Sequence, residues 1–175
     1  MTFTELATEL CNRCGEGYQD YVNPAKEMLY QAFDTLILNG LATEDEYFGL
    51  IKNTGDKDFS STFDFYSVIE DDANIFIKLL AVKVDNVKVD QLTPDEYNVS
   101  SRISALIGSP SYYFNDGILY FVNVPTVAPV SVSLSYVKRY KEASALDNIN
   151  KYISTSFAEK ALELAQPKLY AEINS

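Results

Sequence analysis

The sequence predicts an α+β fold: a small helical bundle from N- and C-terminal helices, with an antiparallel β-sheet layer inserted between them. Apolar residues recur at helical spacing near both ends of the chain, whereas residues 109–140 show the period of two that is typical of strands. Each helix has one apolar stripe that needs a partner, so the terminal helices are expected to pack on one another.

Length and hydropathy set the expected organisation. The 175 residues fit a single domain, with a helical core over about 1–55 and 144–166, a β-rich insertion over about 66–140 and a C-terminal tail over 167–175. No apolar run approaches the roughly 18 residues of a membrane-spanning helix, and residues 1–10 lack the basic and apolar regions of a secretory signal. We expect a protein that is made in the cytoplasm and does not enter a membrane.

Helix-start signals mark the first part of the chain. Thr2 and Glu5 have the spacing of a capping box, in which each side chain binds the other residue's backbone N–H. A second helix is predicted to begin with Asn23 as its N-cap and Pro24 at its first position, and to end at residues 39–40.

A third helix and a loop are expected next. Thr43 and Glu46 repeat the capping-box spacing and predict a short helix that runs until residues 53–55. Residues 53–66 are polar with interleaved phenylalanines, which predicts a loop or an irregular edge.

Two hairpins are predicted in the middle of the chain. Residues 75–84 are rich in β-branched and apolar side chains and lead into a two-residue turn at 85–86. In the second hairpin, the turn signal at 115–117 joins residues 112–114 to residues 118–122.

The remaining segments complete the order of helices, β insertion and helix. Thr93 and Glu96 predict a short helix, and residues 103–107 fit either a helix or a strand. Residues 130–136 alternate apolar side chains with serine, as in a strand with one buried face. A closing helix is predicted from Leu146 until Pro167 interrupts it.

Composition weighs against two function classes. The net charge is −11, from 14 Lys and Arg against 25 Asp and Glu, whereas a protein that grips DNA needs a basic face. The chain has no His, the usual general base and the commonest metal ligand. It also has no G-x-S-x-G motif and no glycine-rich phosphate loop. We therefore expect no enzyme activity and no cofactor, with a Ser–Lys dyad as an alternative that no residue singles out.

Two kinds of cluster could hold a metal ion. Cys11 and Cys14 have the C-x-x-C spacing of zinc and dithiol sites, but zinc needs four ligands and no further Cys is present. Both lie on the apolar stripe of the first helix, which favours packing in the core. The acidic clusters at 44–46 and 70–72 could bind a divalent cation, but a helix N-terminus and a solvated turn explain them as well. We predict no metal site.

Aromatic residues are the stronger functional signal, because tyrosine tolerates both burial and water and is enriched in interfaces. For the residues of the 59–66 loop and of the C-terminal tail, local packing is the alternative explanation. The candidate contacts between subunits or to a tail are Phe59, Phe63, Phe65, Tyr112, Tyr113 and Tyr120, and the candidate docking residues of the C-terminal tail are Leu169, Tyr170 and Ile173.

Several stretches together carry a family resemblance that covers most of the chain. They are residues 2–6 of the first helix, 36–39 of the second, 79–97 and 108–113 in the β insertion, 117–121, Pro125, 132–136, and Ala158, Ala161 and Ala165 of the closing helix. In this layout the chain resembles the head-to-tail adaptor, or connector, proteins of tailed double-stranded-DNA bacteriophages, especially the adaptor or tail-tubular type. The acidic, His-free composition and the cysteine pair are departures that the family pattern does not require.

The resemblance implies a structural protein of the virion, made in the host cytoplasm. Such proteins form a homo-oligomeric ring, commonly a dodecamer, that docks under the portal protein, extends the DNA channel and joins tail or further neck proteins. DNA would pass through the channel without sequence-specific binding, and an acidic lining would repel its phosphates. The alternative is a stand-alone α+β module that binds a protein or a glycan on its tyrosine-rich strands.

Overall fold

The structure is a computed structural model that describes residues 1–15, 18–58, 62–101, 109–124 and 130–175. The described residues contain five α-helices and a sheet of eight strands, which confirms the predicted α+β class. They form two compact units: a helical unit of Met1–Ile51 and Val137–Ser175, and a β unit of Lys52–Tyr136.

The helices are α1 (Phe3–Cys14), α2 (Val22–Leu38), α3 (Phe65–Ile69), α4 (Pro94–Ser100) and α5 (Thr155–Ile173). The strands are β1 (Ile51–Asn53), β2 (Lys57–Asp58), β3 (Thr62–Asp64), β4 (Phe76–Val84), β5 (Val87–Gln91), β6 (Ser111–Asn115), β7 (Ile118–Val122) and β8 (Ser131–Lys138).

In the helical unit, α1, α2 and α5 pack around a line of buried aromatic rings. Phe3 meets Phe33 with ring centroids 5.9 Å apart, and Phe33 meets Phe157 at 5.0 Å, both edge to face. The capping box of Thr2 and Glu5 is present, as predicted, with both backbone N–H groups bonded. The bundle of N- and C-terminal helices is confirmed, but the closing helix predicted from Leu146 begins only at Thr155, after a 3₁₀ turn at Ile149–Lys151.

The start of α2 differs from the prediction. A 3₁₀ turn, Tyr18–Tyr21, runs directly into the helix, so Tyr21 is the N-cap and makes no side-chain cap bond. Asn23 is therefore not the cap, and Pro24 is the third helical residue. The predicted end is confirmed, because the helix stops at Leu38 and Gly40 has a left-handed φ of +66°.

The predicted third helix is wrong, although its capping box is present. Two 3₁₀ turns, Glu44–Glu46 and Phe48–Leu50, replace it, and β1 follows at once. The reason is tertiary: the Gly49 N–H donates to the Tyr152 carbonyl at 3.0 Å, so it is not available to an α-helix. The loop or irregular edge predicted over 53–66 is confirmed in part: the segment contains the short strands β2 and β3, and β3 lies at one end of the strand order.

The β unit holds both predicted hairpins. Asp85 and Asn86 join β4 to β5 with φ of +48° and +66°, and Asp116 and Gly117 join β6 to β7 with φ of +48° and +78°. Positive φ at both turn residues matches the strand twist, which explains the Asp, Asn and Gly there.

The strand order of the sheet is β1-β8-β4-β5-β6-β7-β3, with β2 also paired to β8. The pairs β4–β5, β6–β7, β3–β7 and β2–β8 are antiparallel, whereas β5 and β6 are parallel through a short ladder. The helix predicted at Thr93 is confirmed as α4, and it lies in the connection that makes this parallel pairing possible.

The core of the β unit follows the predicted alternation of β8. Val132, Leu134 and Tyr136 are buried, and the intervening serines are half-buried. The buried residues of this core are Phe63, Phe65, Ile69, Val82, Val84, Val89, Tyr112, Leu119, Val130, Val132, Leu134 and Tyr136. Residues 103–107, Pro125 and Phe59 lie outside the described residues.

The C-terminal tail predicted over 167–175 is wrong as a separate segment, because α5 continues through Pro167 to Ile173. Pro167 has no N–H, so the backbone carbonyl of Glu163, four residues earlier, has no helical donor. Both residues are exposed, so this carbonyl can bond water instead. The apolar stripe continues past the proline with buried Ala165 and Leu169, so packing holds the last turns in place.

Candidate interaction surfaces

The β6–β7 hairpin has one buried face and one half-exposed face. The register pairs Tyr112 with Phe121 and Phe114 with Leu119, and these side chains face the core of the β unit. Tyr112 is buried, donates its hydroxyl to Gln91 Oε1 at 3.3 Å, and has its pKa raised by burial. The hairpin therefore uses Tyr112, a predicted contact, as a core residue.

The opposite face carries a cluster that we call the tyrosine face: Tyr97 of α4, Tyr113 of β6 and Tyr120 of β7. Tyr113 and Tyr120 are cross-strand partners with ring centroids 6.2 Å apart. Tyr97 stacks on Tyr113 at 5.0 Å and an interplanar angle of 22°. All three are half-buried, so their rings keep an accessible edge that could meet a partner.

The phenylalanines predicted as contacts lie in the core. Phe65 is fully buried among Phe76, Phe114 and Tyr136, with ring centroids 4.7, 5.5 and 5.9 Å away, and Phe63 is also buried. Both were placed in an unpacked loop by the sequence, but β3 and α3 bring them inside. Their burial removes them from the accessible surface of this unit.

The predicted docking residues on α5 divide in the same way. Leu169 is fully buried, Ile173 is half-buried, and Tyr170 is 56% exposed. Tyr170 shares a helix face with the exposed Pro167, three residues earlier. Only the outer side of this last part of α5 can meet a partner without rearrangement.

Several exposed apolar side chains were not among the contact residues predicted from the sequence. Leu38 and Leu41 are 56% and 55% exposed at the end of α2, and Phe48 is 50% exposed in the following turn. The Leu41 carbonyl accepts a bond from Lys160 Nζ, which also pairs with Glu46, so Leu41 lies beside this ion pair. Leu38 lay at the end of the predicted second helix but not among its apolar-stripe residues, whereas Phe48 lay among the apolar residues of the predicted third helix, where no sequence signal separated it from core residues.

The described residues give no sign of a metal centre. Cys11 and Cys14 are buried in α1, as the packing prediction required, and burial raises the pKa of both thiols. Cys14 Sγ lies 3.8 Å from the Gln166 carbonyl, a weak hydrogen bond to α5. In the part of the chain that the structure describes, no three Cys, Asp or Glu residues are grouped so that they could hold an ion.

Comparisons with known proteins do not assign a family. No protein-family model matches the chain, and no curated protein matches it. Among the described residues, none of the helices combines the length and apolar character needed to cross a membrane.

Proposed function

We propose that the chain is a structural virion protein, a head-to-tail adaptor of a tailed double-stranded-DNA bacteriophage. The observation that carries the proposal is the organisation of the chain: its first and last helices form one unit, and a β unit is inserted between them. This is the layout from which the family resemblance was drawn. The proposed role is structural rather than catalytic.

A ring of adaptor copies needs two different surfaces that meet head to tail and close. The helical unit offers exposed Leu38, Leu41 and Phe48, and the β unit offers the tyrosine face. Aromatic and large apolar residues with polar surroundings are typical of protein interfaces. We propose that these surfaces contribute to contacts between copies, in a ring of about twelve, and to the tail or further neck proteins.

The proposed portal contact is the outer face of α5. Tyr170 is the exposed anchor, and Ile173 borders it. Leu169 fixes the helix from beneath, so its role would be to position Tyr170 and not to touch the portal. This refines the docking prediction, which treated the whole segment as a free tail.

The acidic balance suits a DNA channel. A lining in which carboxylates outnumber Lys and Arg repels phosphates, so DNA would slide through without sequence-specific binding. The chain carries 25 Asp and Glu against 14 Lys and Arg. A ring structure whose channel is lined mainly by Lys and Arg would contradict this part of the proposal.

The proposal is tested by mixing the purified chain with portal-bearing capsids that lack tails, followed by sedimentation and electron microscopy. We expect the chain to sediment with the capsids and to add density at the portal vertex. Capsids from which the portal is absent are the matched control and should not bind. Binding to neither particle would contradict the adaptor and favour a stand-alone binding module.

A further inference from the structure

An open cleft lies where the parallel ladder between β5 and β6 ends. Its volume is about 500 Å³, and it is lined by Gln91, Leu92, Thr93, Pro94, Tyr113 and Phe114. The Leu92 N–H donates to the Tyr112 carbonyl at 2.7 Å, after which the chain leaves the sheet to begin α4. The cleft therefore opens beside a part of β6 that β5 no longer covers.

The backbone of Phe114 is directed toward this cleft. The two-residue turn makes Asn115 and Ile118 a hydrogen-bonded pair, so Tyr113 and Tyr120 form the next such pair. The N–H and C=O of Phe114 must then point away from β7, on the side of β5. Pro94 lies where β5 would continue if it were longer, and it has no N–H to donate. Among the described residues, the bond from the Leu92 N–H to the Tyr112 carbonyl is the last one on this side of β6. None of these residues makes a further backbone hydrogen bond to Phe114 there.

The walls and rim of the cleft define what could fill it. Leu92, Pro94 and the ring of Tyr113 give an apolar surface beside the open backbone groups. Exposed carboxylates of Asp90 and Asp95 flank these walls in sequence. Glu96 adds a third carboxylate, held by Thr93 in the α4 cap, and Lys88 is the one base in residues 88–96.

We propose that this cleft binds a short extended peptide that carries lysine or arginine. The peptide would add to β6 at Phe114 as a strand, through one N–H···O=C bond in each direction. One apolar side chain would lie on Leu92 and Pro94, and a basic side chain would face Asp95. The inference goes beyond the adaptor proposal and does not depend on ring formation.

The test uses the full chain, labelled with ¹⁵N, and the peptide acetyl-Val-Lys-Val-Lys-Val-amide as a probe. We expect saturable shifts of the Phe114 and Thr93 amide signals, because these groups border the added strand. A probe with methylated backbone nitrogens should bind at least about fivefold more weakly, since it loses a backbone donor. A probe with glutamate in place of lysine should weaken similarly at low salt.

Matched charge reversals separate the cleft from general attraction to an acidic protein. Asp95→Lys should weaken the lysine probe about fivefold or more, whereas Asp56→Lys, an exposed change elsewhere in the β unit, should not. The inference would be overturned if the two variants had equal effects, or if the methylated probe bound as tightly as the unmethylated lysine probe. A Phe114 signal that does not shift would also overturn it. A chain that docks on portal-bearing capsids but fails this test would overturn the inference alone.

Discussion

Lys160 of α5 donates a hydrogen bond to Glu46 Oε2 at 2.8 Å and so ties the 3₁₀ turn after α2 to the last helix. Glu46 also accepts the Thr43 N–H at 2.9 Å and the Ser156 hydroxyl at 2.6 Å. These donors favour the charged carboxylate, and the bond from Lys160 contributes most, so the pKa of Glu46 falls to about 2.

The Glu46 contacts predict a defined acid sensitivity. The pKa of Glu46 is lower in the folded chain than its ordinary value of 4.5, so the contacts stabilise the fold above that value and are lost as the pH falls toward about 2. Glu46→Gln should therefore lower Tm near neutral pH, and its deficit relative to wild type should shrink between those two values. Thermal unfolding monitored by circular dichroism across this range checks it. Glu44→Gln, an exposed neighbour, is the control, and a deficit independent of pH would contradict the assignment.

Glycine is required at position 49 because there is no room for a side chain, not because of its backbone φ. A Cβ added there would lie 2.3 Å from the Lys151 carbonyl oxygen and 2.5 Å from the Tyr152 Cα, both backbone atoms that cannot easily move. Gly49→Ala should cost about 1–3 kcal/mol of unfolding free energy or more, as overpacking does. Gly40→Asn is the matched control, because Gly40 has open space around it and asparagine tolerates its positive φ. Urea denaturation that ranks the two variants equally would contradict this account.

Tyr140 carries a hydroxyl that is buried and, among the described residues, has no hydrogen-bond partner. Burial of an unpaired hydroxyl is unfavourable, so Tyr140→Phe should leave stability unchanged or raise it by about 1 kcal/mol. Tyr152→Phe, which removes a 3.0 Å bond to Asp147 from the same aromatic cluster, should instead destabilise by about 1 kcal/mol. Calorimetry of both variants gives the comparison, and a loss at Tyr140 as large as that at Tyr152 would mean that its hydroxyl is paired.

Removing the Tyr170 side chain should impair docking on the portal without impairing folding. It is 56% exposed on α5, so Tyr170→Ala should change unfolding free energy by no more than about 0.5 kcal/mol. Capsid binding should fall at least tenfold, the equivalent of about 1.4 kcal/mol for an interface anchor. Leu146→Ala, at a side chain that is 89% exposed, is the control and should bind normally. Normal binding by the Tyr170 variant would remove α5 from the portal contact.

Local signals sufficed where a few adjacent residues decide the structure. The capping boxes at Thr2 and Thr93 and the turns at 85–86 and 116–117 were predictable because cap bonds and positive φ depend on the residues at those positions. The alternation of β8 likewise follows from one buried face.

Tertiary contacts decided the rest. The predicted third helix is absent because Gly49 bonds to the distant Tyr152. The segment predicted as a loop or an irregular edge contains β2 and β3 because it pairs with β8 and β7, which are distant in sequence. Pro167 did not end α5, because its solvent-facing position and the packing of Leu169 offset a lost backbone bond. For the same reason the predicted contact residues included core residues. The burial of a phenylalanine such as Phe65 depends on neighbours that the sequence does not identify.

The central claim, a place in the phage neck, is tested most directly by locating the chain in intact virions. Gold-labelled antibody against the chain, imaged by electron microscopy on particles opened at the head-to-tail junction, gives its position. The adaptor proposal predicts label at that junction, between portal and tail, in a copy number that matches a closed ring. Purified virions that lack the chain, or label confined to the capsid shell or the tail tip, would contradict it.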